Sequence, residues 1–415
     1  MKLSSQDLAR FPRPGTAVPA AFSFAPSGRR LAYLFSESGD LARDLWELDL
    51  VSGERRILQA ARAAVLTRDE ELRRERQRLR ETGVTRFAWA READVLLAVA
   101  GEDLVVDGTV VEKGVVDPQL SGDGGLLAFV REGELWAGGR RLTFDGQLGL
   151  TNGLADYVAQ EEMHRASGFW IAPDGRHIAF EQADERDVPI YPIVHQGQAV
   201  IEVEAHRYPC AGGANPKVRL GVVAVTGGPV VWMDLGNAEY LARVDWSPDG
   251  RLFVQTQSRD QRRLALRAFD PTTGRGETLL VETSPLWINL HDMLRFLDDG
   301  SYLWASERSG FRNLYQYRDD RCLRAVTALD WPVDELLRVA GDWVWFAGHG
   351  GRPTEKHVWR VPLAGGAPER MSVEAGWHEA VVAPDGASWV DSFQSREQPV
   401  TVTLRGESPL ALHDP

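Results

Sequence analysis

Residues 157 to 170 read YVAQEEMHRASGFW, and in that stretch two consecutive carboxylates, Glu161 and Glu162, stand among Ala, Met and aromatic residues. What such a pair can do depends on the backbone that carries it. On a strand, consecutive side chains point to opposite faces and cannot meet one ligand, whereas on a helical turn or a loop they can. Residues 155 to 168 alternate weakly and read as a short helix or bulge ahead of a strand at 168 to 172, so convergence is available. Two converging carboxylates in a partly apolar setting suit a compact cation carrying several N–H donors, such as the terminal ammonium of a peptide. A metal ion is the competing ligand. Against it, no third carboxylate or histidine falls at helical ligand spacing, since His164 follows only two or three residues later. Taken alone, a Glu-Glu pair in most chains is simply solvated surface.

A second stretch, TRDEELRRERQRLRE over residues 67 to 81, contains no Gly or Pro. It opens with a capping box of Thr67 and Glu70 and offers i,i+4 pairs of Asp69 with Arg73 and Glu70 with Arg74. The spacing predicts a helix over 67–81, able to present Arg73, Arg74, Arg76, Arg78 and Arg80 to an anion or to carbonyl oxygens. By composition alone it is an ordinary salt-bridged surface helix. Other candidates carry less. His291 and His378 have no nucleophile beside them and read as structural or cavity-lining. Cys210 and Cys322 form no CxxC or Cys/His cluster, so neither a disulfide framework nor a zinc site is indicated, and Cys210 reads as buried or incidental. GGANP at 212–216 is turn chemistry, since it lacks the G-K-[ST] ending of a phosphate loop. No G-x-S-x-G occurs, and RGESPL at 405–410 lacks the second Gly.

The elements that must position these residues announce themselves by repetition. One phrase recurs: FAPSGRRLAYL around Gly28, LSGDGGLLAFV around Gly124, IAPDGRHIAFE around Gly175, WSPDGRLFVQT around Gly250, LDDGSYLWAS around Gly300 and APDGASWVDS around Gly386. Weaker copies stand at 90–99 and 339–348, making eight. Each phrase is a tight turn followed by a strand, because Asp-Gly or Ser-Gly supplies the positive φ and an alternating apolar run follows. A second strand pair usually comes next, as in residues 44–58, 313–327 and 357–372. Landmarks Gly124, Gly175, Gly250, Gly300, Asp342 and Gly386 are spaced by 51, 75, 50, 42 and 44 residues, close to a propeller blade. The long interval holds an insertion, a hairpin or subdomain, at 181–220. Open rows of four-stranded sheets would leave edges free to aggregate, and a closed ring removes that problem. The expectation is therefore one all-β domain over 1–415, an eight-bladed β-propeller with one short Arg-rich helix at 67–81, the Glu-Glu segment at 155–167 and the inserted hairpin.

Composition bounds the partners. The 415 residues carry 60 acidic against 47 basic side chains, a formal charge of −13, which disfavours nucleic acid phosphates and anionic membranes. No run of 18 or more apolar residues appears, and the N-terminus MKLSSQDLARFPRPG has no apolar secretory core, so no membrane span is expected and the chain reads as cytoplasmic. No cofactor and no metal are expected.

The stretches RDEELRRERQRLRETGVTRFAW and YVAQEEMHRASGFW, followed in order by HRYPCAGGANPKV, WINLHDMLRFLDDG, SERSGFRNLYQY and GWHEAVVAPDG, resemble the propeller of the dipeptidyl peptidase IV family of serine peptidases, in particular its cytosolic branch. The resemblance covers nearly the whole chain. It implies that Glu161 and Glu162 project into a central cavity and grip the free N-terminus of a peptide, and that Arg78 reaches a substrate backbone carbonyl. Cys210 departs from the pattern, since relatives carry a basic residue there. The family places its catalytic Ser, Asp and His in a C-terminal α/β-hydrolase domain, and this sequence stops at Pro415, where the propeller would hand over to it. The expected function is then the substrate-recognition propeller of an exopeptidase releasing X-Pro or X-Ala dipeptides, inactive by itself, with the hydrolase domain as partner. Dimerisation in the family uses that domain and an extended propeller hairpin, for which 181–220 is the candidate. The alternatives are a stand-alone propeller that binds peptides or proteins without cleaving them, or a plain docking platform.

Overall fold

A computed structural model describes residues 4–9, 17–62, 68–195, 197 and 201–414. Each repeated phrase lies at the turn joining two consecutive strands of an antiparallel sheet. At Gly175 and Gly250 the backbone has φ of 65° and 84°, the left-handed region that only Gly enters without cost. The neighbouring Asp finishes the turn: Asp174 accepts the Arg176 N–H at 2.8 Å, and Asp123 likewise accepts the Gly125 N–H at 2.9 Å. Sequence chemistry thus fixes where each hairpin bends, and the β-branched and aromatic runs after it form the inner strands.

The described strands assemble into successive antiparallel sheets, mostly of four strands, the modular all-β architecture of a propeller. Apart from these there are short helices, α1 (Ser5–Ala9), α2 (Arg68–Arg76) and α3 (Tyr157–Glu162). The chain divides into two compact units.

The first unit, 1–66, 80–113 and 291–415, contains the two N-terminal and three C-terminal sheets. Strand Ala42–Asp49 makes a short parallel pairing with Thr82–Trp89, joining the two N-terminal sheets. Inside this unit the first and last sheets pack face to face: Phe24, Leu31 and Leu48 share one core with Ala383, Val390 and Val402. A core of Leu303, Leu314, Trp331, Val344 and Phe346 joins two of the C-terminal sheets. Both histidines of interest are buried in this unit. The His378 ring bonds to Asp391 through Nδ1 at 2.8 Å and to the Glu374 carbonyl through Nε2 at 3.0 Å, and His291 packs its ring 4.5 Å from that of Trp304.

The second unit, 67–79 and 114–290, holds three larger sheets and a two-stranded one, together with α2 and α3. Its central sheet is built on strand His177–Asp184, which pairs with Leu150–Asn152 and Phe169–Ile171 on one side and with Lys217–Ala224 on the other. Phe169 faces Phe180 across this sheet, and both are buried against Val130, Leu135 and Ile178. On the other face Leu220 and Val222 pack with Leu241, Val254 and Phe269. Burying each such side chain is worth about 1.5–3 kcal/mol, so these packed sheets make a stiff base for the loop at 153–168.

The inserted segment is a hairpin of Ile190–His195 with Glu202–Arg207, a separate two-stranded sheet. Because Asp184 and Lys217 are themselves cross-strand partners, the excursion occupies 185–216 and leaves the flanking ladder unbroken. Its strands expose Ile190, Tyr191, Ile193, Val194 and Val203. Among the described residues no helix is long and apolar enough to cross a membrane.

Candidate functional site

Glu161 and Glu162 are the last two residues of α3, so the helical alternative is the one the chain adopts. Asp156 starts the helix, accepting the N–H groups of Val158 at 2.8 Å and Ala159 at 3.2 Å. Val158 and Met163 anchor it in a small core with Ala242, against which Tyr157, Tyr240 and Leu290 pack. Glu161 is half-buried and Glu162 exposed. Among the described residues neither carboxylate takes part in an ion pair or accepts a hydrogen bond. Two acids at the C-terminal end of a helix face its negative pole, a placement that contributes nothing to helix stability.

What holds the segment in place is a buried network. Arg165, just past α3, donates its backbone N–H to the Ala159 carbonyl at 2.9 Å. Its guanidinium reaches the Glu181 carboxylate at 2.5 Å, the Ser167 carbonyl at 2.8 Å and the Leu241 carbonyl at 3.0 Å. Glu181 also accepts the Asp156 N–H at 2.8 Å. Burial pushes the Glu181 carboxyl above the ordinary carboxylate range, and the adjacent Arg165 pulls it back down. Gly168 closes the loop. A Cβ at that position would run into the backbone of Leu154, Ala155 and Gly153, so no side chain fits there.

Helix α2 covers Arg68–Arg76 and so stops short of the expected 67–81. Its C-terminus is closed by bonds from Arg78 N–H to the Glu75 carbonyl, 2.9 Å, and from Leu79 N–H to the Arg74 carbonyl, 2.9 Å, the pattern of a Schellman motif. Arg78 occupies the left-handed position of that motif with φ of 54°, where Gly is usual. It therefore lies beyond the helix with its side chain exposed, as does Arg80. Thr67, the expected cap, lies outside the described residues, as does the side chain of Asp69. Glu70 pairs with Arg73 at 3.5 Å, and Arg73 reaches Asp117 at 3.6 Å.

The arginine that faces α3 is Arg76, whose guanidinium stacks 5.1 Å from the Tyr157 ring centroid. Tyr157 meets Tyr208 edge-on at 5.3 Å, and Tyr208 approaches Tyr191 of the inserted hairpin at 6.3 Å. Burial pushes the Tyr157 phenol up to about 12, reinforced by the Glu161 carboxylate and by Tyr208, with Arg76 opposing. Glu185 is raised by burial while Arg76 pulls it down. The structure therefore brings the Glu-Glu helix and the arginine helix side by side, bridged by Tyr157. Tyr157 and Tyr208 are not singled out by the sequence, which names Arg76 only as one of the five arginines of the 67–81 stretch. The available signal was the i,i+4 spacing of Tyr157 and Glu161. Cys210, two residues beyond Tyr208, is exposed rather than buried, as is Cys322. Among the described residues no group of three or more His, Cys, Asp or Glu is arranged to hold a metal ion.

Comparison with known proteins agrees with this architecture. Dipeptidyl peptidase 8 from Mus musculus is 24% identical across 81% of this chain and 51% of its own length. Inactive dipeptidyl peptidase 10 from Rattus norvegicus is 32% identical over 48% of this chain and 27% of its own. The crystal structure of Porphyromonas gingivalis dipeptidyl peptidase 4 shares the fold, with a TM-score of 0.79 at 20% identity over 95% of this chain and 59% of that one. The chain spans about half the length of the dipeptidyl peptidase 8 relatives it matches. The family described as dipeptidyl peptidase IV (DPP IV) N-terminal region matches residues 98–400, a span that includes Glu161 and Glu162 but not α2. On that match the chain belongs to the family of dipeptidyl peptidase IV N-terminal regions.

Proposed function

We propose that this chain is the substrate-recognition region of a dipeptidyl peptidase IV-like serine exopeptidase, and that Glu161 and Glu162 clamp the free N-terminal ammonium of a peptide. The observation that carries this reading is the pair itself. Two acids end a helix whose dipole disfavours them, no cation among the described residues pairs with them, and a buried Arg165–Glu181 anchor holds the segment in place. An ammonium offers the several N–H donors that such a pair lacks. Arg78, exposed at the end of α2, is assigned to a substrate backbone carbonyl, which suits a rigid multi-donor guanidinium.

A clamp on the ammonium works as a ruler. With the N-terminus fixed, only the bond two residues inward can meet a nucleophile held at constant distance, so geometry selects dipeptide release from X-Pro or X-Ala substrates. This sequence contains no G-x-S-x-G, so binding is the step assigned to it, and the nucleophile belongs to an α/β-hydrolase partner domain. The reading also includes a cytoplasmic setting and self-association through the hairpin 190–207, whose exposed Ile and Val residues favour a second copy.

The test is calorimetric titration of this chain with Ala-Pro and N-acetyl-Ala-Pro peptides. The free amine should bind and the acetylated peptide should not. Glu161→Gln with Glu162→Gln should weaken free-amine binding by about 2–4 kcal/mol. Equal binding of both peptides, or an unaffected double variant, would overturn the assignment. A second reading, non-catalytic peptide binding, is favoured by the match to a relative named as inactive. It predicts the same binding but no cleavage in any assembly.

A further inference from the structure

The sheet formed by Tyr240–Trp246, Leu252–Gln257, Arg263–Phe269 and Gly276–Thr283 carries a cavity of about 460 Å³, lying within the second unit. Its lining takes Arg263, Ala265 and Arg267 from one strand, Thr256 and Thr278 from the strands on either side, and a loop that starts at Leu235. Strand alternation puts Arg263, Ala265 and Arg267 on one face. Register places Thr256 opposite Ala265 and Thr278 opposite Arg267, so two guanidiniums and two hydroxyls surround a small apolar patch.

The arginines are set up for an anion. Arg267 donates Nη1 to the Asp234 carbonyl at 2.7 Å and stacks 4.6 Å from the centroid of Phe269, which fixes its fork in place. Its Nε is buried without an acceptor. Among the described residues neither Arg263 nor Arg267 pairs with a carboxylate, in a chain where acids outnumber bases 60 to 47. Arg263 is exposed and Arg267 half-buried, so positive charge runs from the open end of the cavity inward.

We infer that this cavity binds a small molecule through a carboxylate or phosphate group. Its oxygens accept from the Arg263 and Arg267 guanidiniums, the Thr256 and Thr278 hydroxyls bond to polar substituents, and Ala265 and Leu235 contact the apolar remainder. Its volume falls within the roughly 300–1,000 Å³ of small-molecule sites. The charge preference is opposite to that of Glu161 and Glu162, and the inference does not rest on the peptide reading.

The test titrates the full chain with sodium phosphate and with sodium acetate against sodium chloride at matched ionic strength, followed by thermal unfolding and calorimetry. At least one oxyanion should raise the unfolding temperature above the chloride control, and the more effective of the two identifies the group recognised. Arg267→Gln should weaken that response at least tenfold, and Arg263→Gln should weaken it less. Thr278→Trp, a change at an exposed edge position, should block binding while leaving both charges in place, so it decides the matter even if Arg267→Gln fails to fold. No difference from chloride for either oxyanion, or an undiminished response in Thr278→Trp, would overturn the inference.

Discussion

Arg165 and Glu181 meet at 2.5 Å in the interior of the second unit, the Arg side chain 5% exposed and the Glu side chain fully buried, and through this contact the turn after Glu161 and Glu162 is tied to the central sheet. Removing one partner of such a pair strands the other, so Arg165→Ala should cost about 3–5 kcal/mol. The loss should also depend on pH. Burial already raises Glu181, and without Arg165 only the Asp156 N–H is left to pull it back, so its folded-state value climbs further. An acid raised on folding holds a proton that the unfolded chain has lost above about pH 4.3. Stability contributed this way is fully present below that point and is lost as pH rises through the raised value. Urea unfolding of Arg165→Ala against wild type should therefore show a larger deficit above pH 8, where Glu181 of the wild type ionises, than at pH 5, and a deficit independent of pH would contradict the buried-carboxylate account.

Gly168 is a second constraint on the same segment. Its missing Cβ lets the strand Phe169–Ile171 start directly beneath the backbone of 153–155. Gly168→Ala should destabilise by about 1–3 kcal/mol or more, because the obstacle is main chain and has no rotamer to give way. Gly250→Ala is a useful contrast. Nothing lies within 4 Å of a Cβ there, so only the positive φ is at issue, and the cost should be nearer 1 kcal/mol.

Much of this architecture was legible because it rests on local chemistry. The Asp-Gly and Ser-Gly phrases carry their own bend, and the turns around Gly124, Gly175 and Gly250 fall where the repeat put them. The Glu-Glu helix was legible for the same reason, since weak alternation argues against a strand. What sequence did not disclose depends on residues far apart in the chain. Arg165 and Glu181 are 16 positions apart, and Arg76 meets Tyr157 only because α2 packs on α3. The end of α2 was misjudged because Gln77 and Arg78 are good helix formers by propensity, while the connection to the strand at Thr82 requires a left-handed residue before it. Local preference lost there to the demands of topology.

Arg78 gives a prediction with opposite signs. Holding a non-Gly residue at φ of 54° is a strain that Gly would relieve. Arg78→Gly should therefore stabilise the chain by about 0.5–1 kcal/mol in denaturant titration. If Arg78 contacts a substrate carbonyl as proposed, the same variant should bind a free-amine dipeptide more weakly. A variant that is both more stable and equally competent in binding would remove Arg78 from the site and leave Arg76 as the arginine to test.

The proposed clamp also has a pH signature set by the ligand. An α-amino group titrates near 7.7–8.0, and only its protonated form presents a charge and three donors to Glu161 and Glu162. Above that value the apparent association constant should fall by about tenfold for each pH unit. A ligand carrying a trimethylated, permanently charged terminus should lose this dependence altogether, while also losing the N–H donors that a carboxylate pair engages. Calorimetric affinities between pH 6 and 9 for a free-amine Ala-Pro peptide, measured beside the trimethylated one, separate recognition of hydrogen-bonded ammonium from simple charge attraction. A flat profile for the free amine would show that neither carboxylate reads the protonated terminus.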